Sequence, residues 1–533
     1  MERTPRLLFV GLDAADADLV DRWCREGVLP HIARMKAQGT SFRMRTTAEV
    51  FHVSAWPSIF TGTGPDQHGL YHAYVTPPGH QGVVRPRPDR SPFPFFWKLL
   101  SDHGKRSVVM DAFLTCPLQD FNGTQIVDWG TWSWFWQPTM RPASLKREIA
   151  RRFGPYPSED HSKVGITPVT DIAGFRARLL AAVARKTAIL EWLIDREDWD
   201  LFLVVFSESH PAGHYFWHLH DPSYPTHPEA GAGALAHALR DVYVGLDAAI
   251  GALLARVDEH TTVLLLSGDG MGPNYSASHL LPQVLVRMGA LSTSAADLGD
   301  PPDGAGAAGH RDLLRTVRDL IPQPIRIAIS QALLSRQTQE RLALRWKTAG
   351  IDWSATRAFA IENANEGYVR VNLKGREPEG RVVPGPEYEE LCEALCQAAA
   401  TAVNPVNGRP CAKAVYKTDD ICNGPFRSHL PDVVIAWDPD ARVTTEISTE
   451  QHGVIRSREP SCGVSPFYSG NHWPNAFAVA VGPDVPRGLT LEPQNILDIA
   501  PTILSGFGID APAHMKGRVL QELRRGAARP VTD

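Results

Sequence analysis

The sequence has few cysteines and no recognisable cysteine framework. Seven cysteines are scattered over 533 residues, an odd number without the paired spacing of a zinc site or of a disulfide-rich domain. Cys392 and Cys396 are four residues apart in a segment with a helical pattern. We therefore expect free thiols and a reducing, cytoplasmic location.

Long apolar runs and an excess of one charge are also missing. No stretch approaches 18 apolar residues, so no membrane span is expected. The first apolar run ends at Asp13 and is typical of a buried strand rather than a signal peptide. The formal net charge is -5 at pH 7, which indicates neither a nucleic-acid surface nor an acidic tail. We therefore expect neither nucleic acid nor a membrane as a partner.

The sequence contains instead a series of short, β-branched apolar runs. They span Arg6–Asp13, Asp200–His210, Thr261–Gly270, Pro431–Trp437 and Ala476–Gly482. Continuous runs of this kind are typical of strands that are covered on both faces, as in a parallel sheet. Helical patterns over Phe175–Leu193 and Ala234–Arg256 lie between them. This alternation predicts an α/β fold with a doubly wound, mostly parallel central sheet flanked by helices.

Two segments interrupt the alternation, so we expect one domain over residues 1–533 with insertions at about 72–165 and 285–350. The first is rich in Pro and Trp, and its tryptophans would form either an aromatic wall for a substrate or core packing. They are Trp129, Trp132, Trp134 and Trp136. The second insertion looks helical. The chain after Gly517 is expected to be poorly ordered.

A pair of histidines follows the second apolar run. His210 and His214 are four residues apart in "SESHPAGHYFWHLHDP", so on a helix they would share one face and could bind one metal ion. Packing beneath a loop is the alternative. Ligands of doubly wound sheets bind beyond the carboxyl ends of the strands, and this position favours a metal site.

Three further residues lie beyond strand ends or near them. Asp13 closes the first run in "GLDAAD" and is either a ligand or a helix N-cap. Asp269 in "LSGDGMG" is either a ligand or part of an Asp-Gly turn. His472 in "SGNHWPNAF" is either a ligand or a loop histidine.

Together these segments resemble the alkaline phosphatase superfamily, and most of all its type I phosphodiesterase/nucleotide pyrophosphatase branch. The resemblance runs from Leu7 to about Gly517. It is carried in order by "GLDAAD", "AWPSIFTGTGPDQHG", "ESHPAGHYFWH", "SGDGMG", "GNHWPNAFAVAVGP" and "ILDIAPTILSGFGIDAP". It implies a centre with two metal ions, where a phosphoryl or sulfuryl group is transferred through a Ser or Thr nucleophile.

The sequence departs from that pattern at the metal ligands and at the nucleophile. His210 stands where an Asp is expected, and Gly268 and Asp269 stand where an Asp-His pair is expected. His52 takes the position of the nucleophile. The pattern is kept at Asp13, His214 and His472. Because imidazoles and a carboxylate stand at these positions, we infer a metal centre that is altered and not lost.

The resemblance therefore implies two divalent ions, with zinc favoured and manganese or iron as alternatives. One ion would be held by His210, His214 and His472. The other would be held by Asp13, Asp269 and His52.

The attacking group is left open between the Ser54 hydroxyl and a hydroxide on a bound metal, with His52 as a second candidate catalytic residue. Ser54 could equally be an N-cap of the helix that follows.

We thus predict a metal-dependent hydrolase that cleaves a phosphodiester, a phosphomonoester or a sulfate ester of a small anionic molecule. A redox-active iron enzyme that reuses the fold and a non-catalytic binding protein are the alternatives. Monomer and homodimer both stay open, as does Glu208, which is either a ligand or a partner that orients a histidine. Arg370 and Lys374 are expected to be solvated unless they face an anionic substrate.

Overall fold

The structure is a computed structural model that describes residues 5–131, 138–158, 169, 171–228, 233–293, 348, 350–457 and 468–523. Within these ranges the cysteines are free thiols, as expected from their spacing. None of the helices in this part of the chain has the length and apolar character needed to cross a bilayer.

The strands of the described ranges are β1 Arg6–Leu12, β2 Thr40–Arg45, β3 Ser107–Met110, β4 Gly123–Val127, β5 Thr139–Arg141, β6 Leu201–Phe206, β7 Thr261–Ser267, β8 Gly270–Pro273, β9 Ala358–Ile361, β10 Gly367–Val371, β11 Ala412–Lys417, β12 Val433–Trp437, β13 Glu446–Thr449, β14 Gly453–Arg456, β15 Gly470–Trp473, β16 Ala476–Val481 and β17 Leu489–Asn495.

The α-helices are α1 Ala17–Arg25, α2 Pro30–Gln38, α3 Ala55–Thr61, α4 Pro65–His68, α5 Phe96–Asp102, α6 Ser144–Phe153, α7 Ile172–Arg196, α8 Ser209–His220, α9 Ala238–Leu254, α10 Leu281–Arg287, α11 Pro386–Ala400, α12 Thr418–Ile421 and α13 Ile499–Gly506. The helices predicted over 175–193 and 234–256 are α7 and α9, and the Cys392–Cys396 pair lies on α11.

The described residues cluster into two compact units. Unit 1 takes its residues from Met1–Ala73, Pro86–Asn274 and Val464–Asp533. Its described part holds a nine-stranded sheet in the order β17-β2-β16-β7-β1-β6-β3-β4-β5. The pairs β17/β2, β7/β1, β1/β6, β6/β3 and β3/β4 are parallel. The predicted fold class, a mostly parallel central sheet flanked by helices, is therefore confirmed.

Two of the predicted parallel strands are in fact antiparallel. The run before Gly482 forms β16, which pairs antiparallel with both β2 and β7. The run that ends at Trp437 forms β12, which lies outside the central sheet and pairs antiparallel with β10 and β11. A continuous apolar run indicates burial on both faces, and a covered antiparallel strand has the same pattern.

The core of unit 1 explains why β1 is apolar at every position but its first. From Leu7 to Leu12 its residues are buried. On one face Phe9 contacts Phe60 of α3 and Phe96 of α5, with ring centroids 6.5 and 6.3 Å apart. Burial of side chains of this size contributes about 1.5–3 kcal/mol each. The packing holds the carboxyl end of β1 in place.

Unit 2 takes its residues from Tyr74–Arg85 and Tyr275–Gly463. It contains an antiparallel sheet in the order β11-β12-β10-β9 and the hairpin β13-β14. Arg370 on β10 is fully buried, donating to Glu377, to the Leu430 carbonyl and to the Thr76 carbonyl. The expectation that Arg370 is solvated or faces a substrate is therefore wrong, because its guanidinium is used within the fold. Lys374 is exposed, as expected.

The predicted insertions fall partly outside the described residues. Trp129 is buried and packs edge-on against Tyr156 at 5.1 Å between centroids, whereas Trp132, Trp134 and Trp136 and most of 285–350 lie outside the described ranges. The division into one domain with two insertions stays a prediction. The expectation that the chain is poorly ordered directly after Gly517 is wrong, because Leu520 is fully buried.

Candidate metal centre

Three adjacent parallel strands bring the first candidate residues to one edge of the sheet. Asp13 follows β1, α8 with His210 follows β6, and Asp269 follows β7, while β1 pairs with both β6 and β7. The N-cap of α1 is Asp16, whose carboxylate accepts from the Asp18 and Leu19 amides. Asp13 is therefore not the N-cap of this helix, which was one of the two roles that the sequence suggested for it.

A two-stranded ribbon adds His472 to the same edge. β15 pairs antiparallel with β8, which begins directly after Asp269, and places His472 opposite Met271. Gly470 allows β15 to pack closely on α8, because a Cβ at this position would lie 2.1 Å from the Gly213 carbonyl oxygen. His472 therefore reaches this edge through the pairing of two strands that are distant in sequence.

The Nε2 atoms of three histidines converge. His210 Nε2 lies 2.8 Å from His214 Nε2 and 3.2 Å from His472 Nε2. The three residues form a group whose ligand atoms all lie within 4.8 Å of one another. His210 and His214 occupy one face of α8, as their spacing of four predicts.

The other ring nitrogen of each histidine is held by an acceptor. His210 Nδ1 lies 3.0 Å from Asp13 Oδ2, and His472 Nδ1 lies 2.6 Å from Asp269 Oδ2. His214 Nδ1 lies 2.8 Å from the carbonyl oxygen of Gly470. Because a carbonyl oxygen only accepts, the His214 proton lies on Nδ1 and the Nε2 lone pair faces the cluster.

Electrostatics favours a neutral imidazole at His214 and an ionised carboxylate at Asp13. Burial, and then the charges of His210 and His472, hold the pKa of His214 well below its usual value. Burial alone would raise the pKa of Asp13, but the charge and the hydrogen bond of His210 outweigh it and lower the pKa. Neutral imidazole is the form that binds a metal ion.

The donor set fits a transition-metal ion. Three nitrogens bound to a tetrahedral ion at about 2.0–2.1 Å would lie roughly 3.3 Å apart. The His210–His472 separation of 3.2 Å is close to that value, and the His210–His214 separation of 2.8 Å is shorter. Histidine ligands usually donate the other N–H to a carboxylate or a backbone carbonyl, and all three rings do so here. Imidazole suits zinc, iron, copper and nickel.

His52 and Ser54 lie in one 3-10 turn but differ in surroundings. The His52 ring stacks on His472, with centroids 4.5 Å apart and planes inclined by 28°. Ser54 is fully buried, and its Oγ lies 2.7 Å from Thr47 Oγ1 and 2.6 Å from the Phe51 carbonyl oxygen. Ser54 makes no side-chain capping bond at the start of α3. The structure thus brings His52, but not the Ser54 hydroxyl, against the imidazole cluster.

Two participants were not foreseen from the sequence. The Trp56 indole Nε1 donates to Asp13 Oδ1 at 2.7 Å, so both oxygens of this carboxylate accept hydrogen bonds. Gly470 supplies the carbonyl that orients His214. The sequence signals were weak, since Trp56 stands two residues after Ser54 and Gly470 stands two residues before His472.

Glu208 stands two residues before His210 and belongs to a buried ionic cluster. Its Oε1 lies 3.5 Å from Lys186 Nζ and accepts from the Tyr156 hydroxyl at 3.0 Å. Lys186 Nζ also lies 2.9 Å from Asp111 Oδ2. Burial raises the pKa of Glu208, whereas the charge of Asp111 keeps the pKa of Lys186 high against its burial. The Glu208 carboxylate therefore does not belong to the converging group of ligand atoms, and it is not hydrogen-bonded to one of the three histidines.

Comparisons with known proteins show the same fold and name a family. Human ectonucleotide pyrophosphatase/phosphodiesterase 5 aligns with a TM-score of 0.50 at 13% identity, over 98% of this chain and all 100% of that one. An inactive murine form of that protein in complex with AMP gives 0.50 at 12% identity, with the same coverage. Phosphonoacetate hydrolase from Sinorhizobium meliloti gives 0.46 at 13% identity over 96% of each chain. None of the curated proteins matches.

The family model described as type I phosphodiesterase / nucleotide pyrophosphatase matches residues 7–462. That range contains β1, α8 and Asp269 and ends before His472. The chain belongs to the type I phosphodiesterase/nucleotide pyrophosphatase family.

Proposed function

We propose that this protein is a metal-dependent hydrolase of small-molecule phosphoesters, with phosphodiesters as the preferred class. The family is one of phosphoester hydrolases by its description, and the match covers residues 7–462. The observation that carries the proposal is that His210 Nε2 lies within 3.2 Å of the Nε2 atoms of His214 and His472 at the carboxyl edge of the central strands. Doubly wound sheets bind their ligands at this edge.

Each residue of the centre has a separate task in this proposal. His210, His214 and His472 hold the ion through Nε2, and Asp13, Asp269 and the Gly470 carbonyl fix the ring orientations. The chemistry that a bound divalent ion supplies is Lewis acidity toward a phosphoryl oxygen. Zinc is the favoured ion, because it is commonly bound by three histidines with an open fourth position.

His52 is the proposed acid–base residue. Its ring stacks on His472 and is partly exposed, so it lies beside the ion-binding face and can exchange protons with water. Histidine is the side chain most often used for proton transfer in catalysis. The Ser54 hydroxyl is bonded inside the turn, which favours attack by water over attack by this serine.

The test is hydrolysis of chromogenic esters by protein that has been loaded with zinc. Bis(p-nitrophenyl) phosphate, p-nitrophenyl phosphate and p-nitrophenyl sulfate represent the diester, the monoester and the sulfate ester. We expect the diester to be hydrolysed fastest. His214→Ala should lower kcat/KM at least 10²-fold, because one of three metal ligands is removed.

His220→Ala is the matched control, because it removes a histidine from the same helix that interacts with Arg22 outside the centre. It should leave kcat/KM unchanged within about twofold. No turnover of any ester by zinc-loaded protein, or equal turnover by His214→Ala, would overturn the proposal. Faster hydrolysis of the sulfate ester than of both phosphoesters would assign another substrate class.

A further inference from the structure

We infer that the centre binds a single divalent ion through three imidazoles, and that Asp13 and Asp269 act as positioning carboxylates and not as metal ligands. This inference deepens the proposed function and rests on its metal dependence. It departs from the two-ion arrangement that the sequence resemblance implies. Four observations at the positions of the second ion carry it.

The first observation is the use of the Asp13 carboxylate. Oδ1 accepts the Trp56 indole N–H at 2.7 Å, and Oδ2 lies 3.0 Å from His210 Nδ1. Asp13 is also buried, with 6% of its surface exposed. A carboxylate held in this way orients the imidazole and increases the basicity of its metal-binding nitrogen. The histidine that stands in place of the expected aspartate is therefore the residue that engages Asp13.

The second observation is the equivalent pair on the opposite side of the cluster. Asp269 Oδ2 lies 2.6 Å from His472 Nδ1, a short distance that is typical of a charge-assisted hydrogen bond. The two pairs, Asp13–His210 and Asp269–His472, leave the two Nε2 atoms 3.2 Å apart and facing one another. Each carboxylate thus supports a ligand of the same ion.

The third observation is that position 268 supplies no side-chain ligand and leaves only tight space for one. The resemblance implies a carboxylate there, but the residue is glycine. A Cβ at Gly268 would lie 3.1 Å from Ala55 Cβ and 3.2 Å from Ile59 Cδ1. Two apolar side chains of α3 therefore pack directly against this backbone. The Gly268 carbonyl, in turn, accepts the Thr46 hydroxyl at 2.6 Å.

The fourth observation concerns the nucleophile segment. The His52 ring stacks on His472, and the Ser54 hydroxyl is bonded to Phe51 and Thr47. The Ser54 hydroxyl is therefore used within its own turn, and the His52 ring lies against a ligand of the first ion.

The test measures metal stoichiometry without a substrate. Metal-free protein, prepared by chelation, is titrated with Co²⁺ and Zn²⁺ by calorimetry, and its metal content is measured after dialysis. The Co²⁺ absorption bands report the ligand geometry. We expect one ion per chain, with bands that saturate at one equivalent. His214→Ala should lose the ion, and the control His220→Ala should keep it.

Conservative variants separate positioning residues from ligands. Asp13→Asn and Asp269→Asn keep an acceptor oxygen for the imidazole, so each should still bind one ion with affinity lowered about 10–100-fold. Two ions per parent chain, no stoichiometric ion, or unchanged affinity in both variants would overturn the inference. If the protein binds one ion but hydrolyses no ester, only the proposed function is contradicted. If it binds two ions and hydrolyses esters, only this inference is contradicted.

Discussion

A buried histidine outside the proposed metal centre makes the stability of unit 1 sensitive to acid. His68 ends α4 and has 1% of its surface exposed. Its Nδ1 accepts the Leu70 amide at 3.0 Å, so the ring proton lies on Nε2, which is 3.0 Å from Ser58 Oγ. Burial lowers the pKa of His68 from 6.5 to about 3. The folded chain therefore holds this ring neutral.

The sign and size of the effect follow from these two pKa values. Between pH 6.5 and about 3 the unfolded chain binds a proton at His68 and the folded chain does not. Stability is therefore lost as the pH falls through this window, by about 1.4 kcal/mol per pH unit well inside it. Acidification from about pH 7 to about pH 5 should cost about 2 kcal/mol from this residue alone.

The variant that removes the effect is His68→Asn, whose side-chain oxygen can still accept the Leu70 amide. Hydrogen exchange of peptides that span α3 and α4, followed over a denaturant series, gives the free energy of unfolding of this region. Metal-free protein is used, because acid also protonates imidazole ligands. The free energy lost between about pH 7 and about pH 5 should be smaller in the variant than in the parent by about 2 kcal/mol.

His103→Asn is the control, since its side chain is exposed in the folded chain; it should show the pH dependence of the parent. The reasoning is refuted if the His68→Asn and parent proteins lose the same free energy, within about 0.5 kcal/mol, over this range. It is refuted equally if the control becomes as insensitive to acid as His68→Asn.

Three further substitutions test particular contacts. Gly470→Ala places a Cβ against the Gly213 carbonyl oxygen, so we expect weaker metal binding by titration and a loss of more than about 2 kcal/mol on unfolding. Ser54→Ala should keep diester hydrolysis within about threefold while losing about 1–3 kcal/mol of stability; a loss of activity above about 10³-fold would make this serine the nucleophile. Lys186→Met leaves Asp111 buried without its cation and should cost about 3–5 kcal/mol in denaturant unfolding, whereas unchanged stability would show that the ion pair contributes nothing.

The central strands and the location of the site were within reach of sequence reasoning. The apolar run that ends at Asp13 is buried on both faces, and that property alone predicts a strand in a covered sheet. The rule that ligands bind beyond carboxyl strand ends then predicts that Asp13, His210 and Asp269 lie close together. Strand direction was not predictable, because β16 and β12 carry the same apolar pattern as their parallel counterparts.

The partner of each polar group was beyond the sequence. The sequence leaves Asp13 open between a ligand and a helix cap, and it does not show that the carboxylate is bonded to a histidine 197 residues away and to Trp56. Such pairings depend on sub-ångström placement of side chains from separate strands and helices, which no local pattern records. The orientation of the Ser54 hydroxyl was equally beyond the sequence, because it depends on a hydrogen bond to the Phe51 backbone carbonyl.

The ribbon formed by β8 and β15 has a consequence for the biosynthesis of this protein. His210 and His472 are 262 residues apart, so a nascent chain that has been translated through β7 contains two of the three imidazoles and lacks the last. Ion capture by the proposed centre would therefore wait until β15 has been translated and has paired with β8. A chain cut before β15 would retain most of the strands of the sheet yet lack the third imidazole. Metal loading at the proposed centre would therefore mark the chains that have been translated past β15.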